Sequence, residues 1–186
     1  MGAFESVVAA LLERKGYWTR TSVKVDLTKE EKRQIGRPSS PRWEIDVVAY
    51  KGSTNSLLAV ECKSYLDSYG VRYSSFIENG KVEVKRYKLF TDTVLRDVVF
   101  NRLSIQLAES GFCPAPPEIT LCLVAGNIYQ DAKPIQDHFK KNGWELWDAD
   151  WLRNELEILS KSGYDNTVVA IVSKLLDRSR SKTKKA

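Results

Sequence analysis

Histidine is almost absent: His138 is the only one among 186 residues. A two-histidine metal site and any catalytic histidine pair are thereby excluded. Cysteine is scarce too, with Cys62, Cys113 and Cys122 and no CxxC spacing. An odd count in that pattern argues against a disulfide framework and against structural zinc. Cys62 and Cys122 lie in apolar runs and read as buried thiols. No apolar stretch approaches the roughly 20 residues that a membrane helix needs. Met1 is followed by Gly2, Ala3, Phe4 and Glu5, which is not a basic leader with an apolar core. The expectation is a cytoplasmic protein with no membrane partner.

Acidic residues are missing from one place only. The last nine residues, "RSRSKTKKA", hold Arg178, Arg180, Lys182, Lys184 and Lys185 and no acid. Without them the basic and acidic residues are equal, so the formal charge of +5 resides in this tail. Such a tail either contacts phosphate through counterion release or is a solvated, frayed end.

What is present is the patterning of a single α/β (α+β) domain with a mixed sheet, over residues 1 to 177, followed by a basic tail at 178 to 186. Phe4, Val7, Val8, Leu11 and Leu12 recur at helical spacing, so residues 3 to 15 are expected to form a helix that ends near Gly16. Residues 17 to 26 favour a strand, and "LTKEEKRQIGRPSSP" reads as a loop. Strands follow at 42 to 51 and 57 to 65 across "GSTN". Asn79-Gly80 between alternating runs predicts an inserted β-hairpin within 66 to 90. A helix is expected over 91 to 110, a buried strand over 118 to 126 and a helix over 133 to 142. A short strand in "WELWDAD" and two final helices, 151 to 160 and 167 to 176, complete the order.

The anomaly is "WEIDVVAYKGSTNSLLAVECKSY", residues 43 to 65. Two strands bound for a core carry Asp46, Glu61 and Lys63. Residues two apart on a strand share a face, so Glu61 pairs with Lys63 and Glu44 with Asp46, with Ile45 and Val47 expected opposite. Hairpin pairing would bring Asp46 beside Glu61 and Lys63. Buried charges are costly unless paired or metal-bound. Converging hard oxygen donors suit Mg²⁺.

Asp46, fourteen intervening residues and then Glu61-Cys62-Lys63 resemble the PD-(D/E)XK nuclease superfamily, although Ile45 stands where that pattern has proline. "EIDVVAY" with "LLAVECKS" is similar to its Mrr-like and Holliday-junction-resolvase-like branches. The element order over roughly residues 3 to 126 matches that restriction-endonuclease-like fold. The resemblance implies metal-dependent hydrolysis of DNA phosphodiester bonds by an endonuclease acting on duplex or branched DNA. Asp46 and Glu61 would hold Mg²⁺ or Mn²⁺ with the backbone carbonyl of Cys62, and Lys63 would act on the attacking water and the developing charge. A homodimer would suit a duplex cutter.

Other residues carry two readings each. Glu5 lies at the edge of the first helix's apolar stripe; it is a further metal ligand, by the same resemblance, or an acid favouring the helix dipole. Arg102 and Gln106 fall inside the buried stripe set by Leu95, Val98, Val99 and Leu103. Gln106 is a candidate for contact with the site or the scissile phosphate, while Arg102 reads as snorkelling. Tyr65 is a phosphate contact or a rim tyrosine. Lys81, Lys85, Arg86 and Lys88 on the hairpin, with Arg178 and Arg180 on the tail, are candidate nucleic-acid contacts. Trp144, Trp147 and Trp151 read as core. Two rival functions remain at this point: a nuclease-fold module that binds or assembles on DNA without cutting it, and a structural protein whose three strand charges form an ion cluster.

Overall fold

Leu121 to Ala125 are all buried, as expected of a strand covered on both faces. They belong to β4 (Glu118–Ala125) in a five-stranded sheet of order β1-β2-β3-β4-β5. The computed structural model describes residues 2–39, 42–77 and 86–183, the last five by backbone alone. β1 (Trp18–Val25), β2 (Trp43–Lys51) and β3 (Ser56–Lys63) form an antiparallel meander. β4 joins β3 in parallel, and the short β5 (Glu145–Trp147) joins β4 in parallel. The protein is thus a single α/β domain built on a mixed sheet.

Helices cover both faces. α1 (Ala3–Arg14) buries Val8, Leu11 and Leu12 against Val47, Ala49, Val60, Cys122 and Val124, and α6 (Ala149–Ser160) and α7 (Val168–Thr183) pack on the same side. α4 (Thr93–Glu109) and α5 (Lys133–Lys141) pack on the other, where Leu95, Val99, Leu103, Ile135 and Phe139 meet Ile45, Leu57, Ala59, Leu121 and Leu123. Sequence signals explain the boundaries. Asp92 caps α4 by accepting the Leu95 amide. Gly16, at φ +82°, ends α1 in a conformation that a side chain would strain.

Three expectations need correction, and a fourth, the hairpin, falls largely outside the described residues. The charged stretch after β1 is not all loop: it contains α2 (Lys29–Gln34), started by a capping box in which Thr28 Oγ1 accepts the Glu31 amide and Glu31 accepts the Thr28 amide. The expected hairpin has no strand in its described part, which forms a 3₁₀ turn at Tyr73–Phe76 and α3 (Lys88–Thr91); Asn79-Gly80, Lys81 and Lys85 lie outside the described residues. The tail does not begin at 178, because α7 runs to Thr183. Finally, Ile45 and Val47 do not share a face. Ser22 is left-handed at φ +52°, the ladder lacks the Ser22–Asp46 pair, and Ile45 packs under α4 while Val47 packs under α1.

Arg102 fastens α2 to α4. Its Nε and Nη2 donate to the Glu31 carboxylate at 2.8–3.0 Å, a two-point contact and not a snorkelling stem. Burial opposes ionisation of Glu31, but Arg102 and the Thr28 amide prevail and hold its carboxyl below the usual range. That stability is present above the unfolded value and lost as pH falls through the folded one. Glu31→Gln is expected to cost about 1 kcal/mol at neutral pH, the upper end for a partly exposed pair. Thermal melts should show the cost shrinking as the Glu31 carboxyl of the wild type is protonated in acid.

Candidate active site

The β2–β3 ladder stops one step short of the charges. Its last pair is Val47 with Val60, and the next would be Asp46 with Glu61. In place of that rung, Asp46 Oδ2 accepts the backbone N–H of Cys62 at 2.7 Å. A side chain therefore does what a backbone carbonyl does in the rest of the ladder, and the strands diverge beyond it. Into the opening Lys63 projects its ammonium, 3.3 Å from Glu61 Oε2 and 3.8 Å from Asp46 Oδ2. The three side chains remain 23% (Asp46), 13% (Glu61) and 20% (Lys63) exposed, so the cluster is largely dehydrated yet reachable from solvent. The predicted trio is brought together.

The electrostatics follow from that partial burial. Desolvation raises Asp46 above the ordinary carboxylate range, against the opposing pull of the Cys62 amide and Lys63. Desolvation likewise lifts Glu61 to about 7, only partly relieved by Lys63 and reinforced by Asp46. Burial pushes Lys63 down, but Glu61 and Asp46 outweigh it and leave the ammonium favoured beyond its usual value. The Cys62 thiol is pushed up by burial and by Asp46, and is no nucleophile.

Glu5 sits in the first turn of α1, close enough to raise Asp46 and Cys62 electrostatically. Its Oε2 accepts the Gly2 amide at 2.6 Å. With Phe4, Cys62, Ser64 and Leu66 it lines a cavity of about 500 Å³ at the carboxyl end of β3. Gln106 is not brought to the trio: its Oε1 accepts the Asp26 amide and its Nε2 donates to Lys24 O, so both ends of its amide bind backbone at the end of β1. Arg86 Nη1 donates to Tyr65 Oη at 3.5 Å, next to the site. Lys88 opens α3, half-buried. Arg178 is exposed on α7, across the sheet from Glu61 and Lys63, and the Arg180 side chain lies outside the described residues.

Two backbone features beside the site were not foreseen from the sequence. Tyr65 is left-handed at φ +39° and turns the chain sharply after Lys63. Gly126, just past β4, donates its amide to Lys63 O, and an added Cβ would lie 2.1 Å from Ser64 O. Only glycine lets the β4 end approach the site so closely. A lone glycine closing a buried strand was the available signal.

Among the described residues no three His, Cys, Asp or Glu side chains converge as a ready-made metal cage. Asp46 and Glu61 nonetheless supply hard oxygen donors, and among those residues Asp46 Oδ1 and Glu61 Oε1 have no hydrogen-bond partner. Two desolvated carboxylates, each with one oxygen outside the hydrogen bonding, fit a hydrated Mg²⁺.

No protein-family model matches the chain. No curated protein matches it either. Among solved structures, the crystal structure of protein of unknown function AF1548 is similar over 89% of this chain and 73% of that one, at 17% identity and a TM-score of 0.45.

Two outcomes are expected in metal-free buffer. The folded state holds the Glu61 proton more tightly than the unfolded chain, so stability contributed by Glu61 falls as pH rises from its unfolded value of 4.5 to about 7. Thermal melts of Glu61→Gln should gain on wild type across that interval, and a pH-independent difference would contradict the assignment. Lys63→Ala should lose about 2 kcal/mol, less than the ~3–5 kcal/mol for breaking a fully buried pair, because the group keeps some solvent. Saturating Mn²⁺ should restore most of it.

Proposed function

We propose that this chain is a metal-dependent nuclease of the PD-(D/E)XK type, with a restriction-endonuclease-like fold, hydrolysing DNA phosphodiester bonds as a cytoplasmic endonuclease. The observation that carries the reading is the convergence of Asp46, Glu61 and Lys63 where the β2–β3 ladder opens. Stability alone seldom accounts for a dehydrated trio of charges, since apolar side chains would serve as well.

Asp46 and Glu61 would hold the metal, with the Cys62 carbonyl as the further ligand that the family pattern implies, and Glu5 reaching it directly or through water. When bound, Mg²⁺ supplies Lewis-acid polarisation of a phosphoryl oxygen and a water acidic enough to attack at neutral pH. Lys63 stays protonated. It therefore acts as a fixed cation that orients the attacking oxygen and stabilises charge on the phosphorane-like transition state, and not as a general base. Glu61 must shed a proton to become a ligand, because burial holds its carboxyl near 7. A homodimer fits a duplex cutter, which needs one site for each strand.

The contacts of Lys63 with both carboxylates favour one rival reading, in which the trio is an ion cluster within a module that binds DNA without cutting it. Plasmid cleavage in Mg²⁺ separates the two. Wild type should cut, Asp46→Ala and Glu61→Ala should lose both Mn²⁺ affinity and cutting, and Lys63→Ala should keep Mn²⁺ while slowing cutting by about 10²-fold or more. Cleavage that survives Asp46→Ala, or a wild type that cuts neither plasmid nor single-stranded or branched DNA, would reject the nuclease reading. Calorimetric Mn²⁺ affinity should also climb as pH rises through about 7, with proton release, as Glu61 ionises.

A further inference from the structure

Beyond the carboxyl ends of β3 and β4 the chain builds a second feature that the reaction chemistry does not use. Residues 64–73 fold back over residues 126–130. Val71 and Ile128 form a parallel bridge, the Val71 amide donates to Asn127 O, the Tyr129 amide donates to Val71 O, and Asn127 Nδ2 donates to Ser68 O. Gly70 fixes the geometry: it is at φ +91°, and a Cβ there would lie 2.7 Å from Asn127 O. Val71 is wholly buried in the α4-side core, and Tyr65 and Ile128 pack beside it. By strand alternation Glu61 and Lys63 face this same side.

Three side chains of these two hydrogen-bonded segments come together at the surface. The Arg72 guanidinium lies 4.2 Å from the ring centre of Tyr129 and 5.9 Å from that of Tyr69. The two rings meet edge to face at 6.0 Å. Tyr69 is 76% exposed. Arg72 makes no ion pair with any described residue, including Asp67 of its own loop. An arginine held on an aromatic face keeps its outer N–H groups available for an anion. An exposed tyrosine ring beside it offers a flat apolar face.

We propose that Tyr69, Arg72 and Tyr129 form a contact for an unpaired nucleotide, the ring of Tyr69 stacking on the base and Arg72 binding its phosphate. This rests on the nuclease reading for the polymer concerned. An exposed ring face beside an arginine that no described acid pairs matches what single-stranded segments display, since their bases have open faces, whereas in duplex those faces are stacked on neighbours. The substrate so described has an unpaired stretch next to the bond that Glu61 and Lys63 address, as in single-stranded, flapped or branched DNA.

Fluorescence anisotropy with a labelled single strand and the blunt duplex of the same sequence, in EDTA, tests this apart from cleavage. Loss of one base stack is worth roughly 1–3 kcal/mol, so Tyr69→Ala should weaken single-strand binding by about five- to 150-fold. Its duplex affinity should move by less than about twofold. Tyr69→Phe should bind the single strand as wild type does. Arg72→Gln should reduce the slope of log affinity against log salt by about 0.7, one phosphate on a single strand. Tyr69 is solvent-exposed, so its loss should leave the melting temperature in place. A wild type that cuts plasmid in Mg²⁺ while Tyr69→Ala and Arg72→Gln bind single strands unchanged overturns the contact and spares the nuclease. Single-strand binding that depends on Tyr69, in a protein that never cuts, supports the contact and overturns the nuclease. Equal losses on duplex and single strand, or no binding of either, overturn the contact.

Discussion

The hydrogen bond from the Cys62 amide to the Asp46 carboxylate is the constraint on which the site depends. It closes the antiparallel pairing of β2 and β3 with a side chain where the backbone rung ends. Because the acceptor is a carboxylate, the last bond of the sheet is also the first anchor of the charge cluster. Lys63 is then held near Glu61 and Asp46 by β3 itself, without help from a loop. Sites built on strands are held more firmly than sites on loops. The arrangement leaves Asp46 fixed in direction yet with an oxygen to spare.

The same feature explains the irregularity in β1. A regular β2 would put Ile45 and Val47 on one face, with both in the same core. The left-handed Ser22 breaks the β1–β2 ladder at that point, and the two apolar residues go to opposite cores. Local strain is thus concentrated beside the charges, a common association in functional sites. Gly126 and Tyr65 repeat the pattern at the end of β3, one by absence of a side chain and one by an unusual φ.

Much of the sheet was legible because burial writes itself into residue choice. β4 is a continuous apolar run, β2 and β3 flank a Gly-Ser-Thr-Asn turn, and α1 and α4 carry helical stripes. The charged trio was legible for the opposite reason, as polar residues in segments otherwise reserved for the core. What stayed hidden depends on tertiary contact. α2 has no buried residue; its charged sequence resembles a loop until Glu31 is seen against Arg102, although Thr28-x-x-Glu31 is a cap signal in its own right. The apolar stripe of α4 includes Gln106, which periodicity aimed at the site and the fold aims at β1. Periodicity gives the face of a helix but not which edge of the sheet that face overlooks. The loop bearing Tyr69 and Arg72 owes its shape to Gly70 and to residues 126–130, more than fifty positions away in the chain.

Gln106 has a consequence of another kind. β1 is an outer strand, and the amide of Gln106 joins Lys24 O and the Asp26 N–H as the backbone of an adjoining strand would. An open strand edge is a template on which foreign chains can grow by continued pairing. By occupying two of its bonding groups with a helix side chain, Gln106 caps the end of that edge, where a further strand would have to begin its pairing.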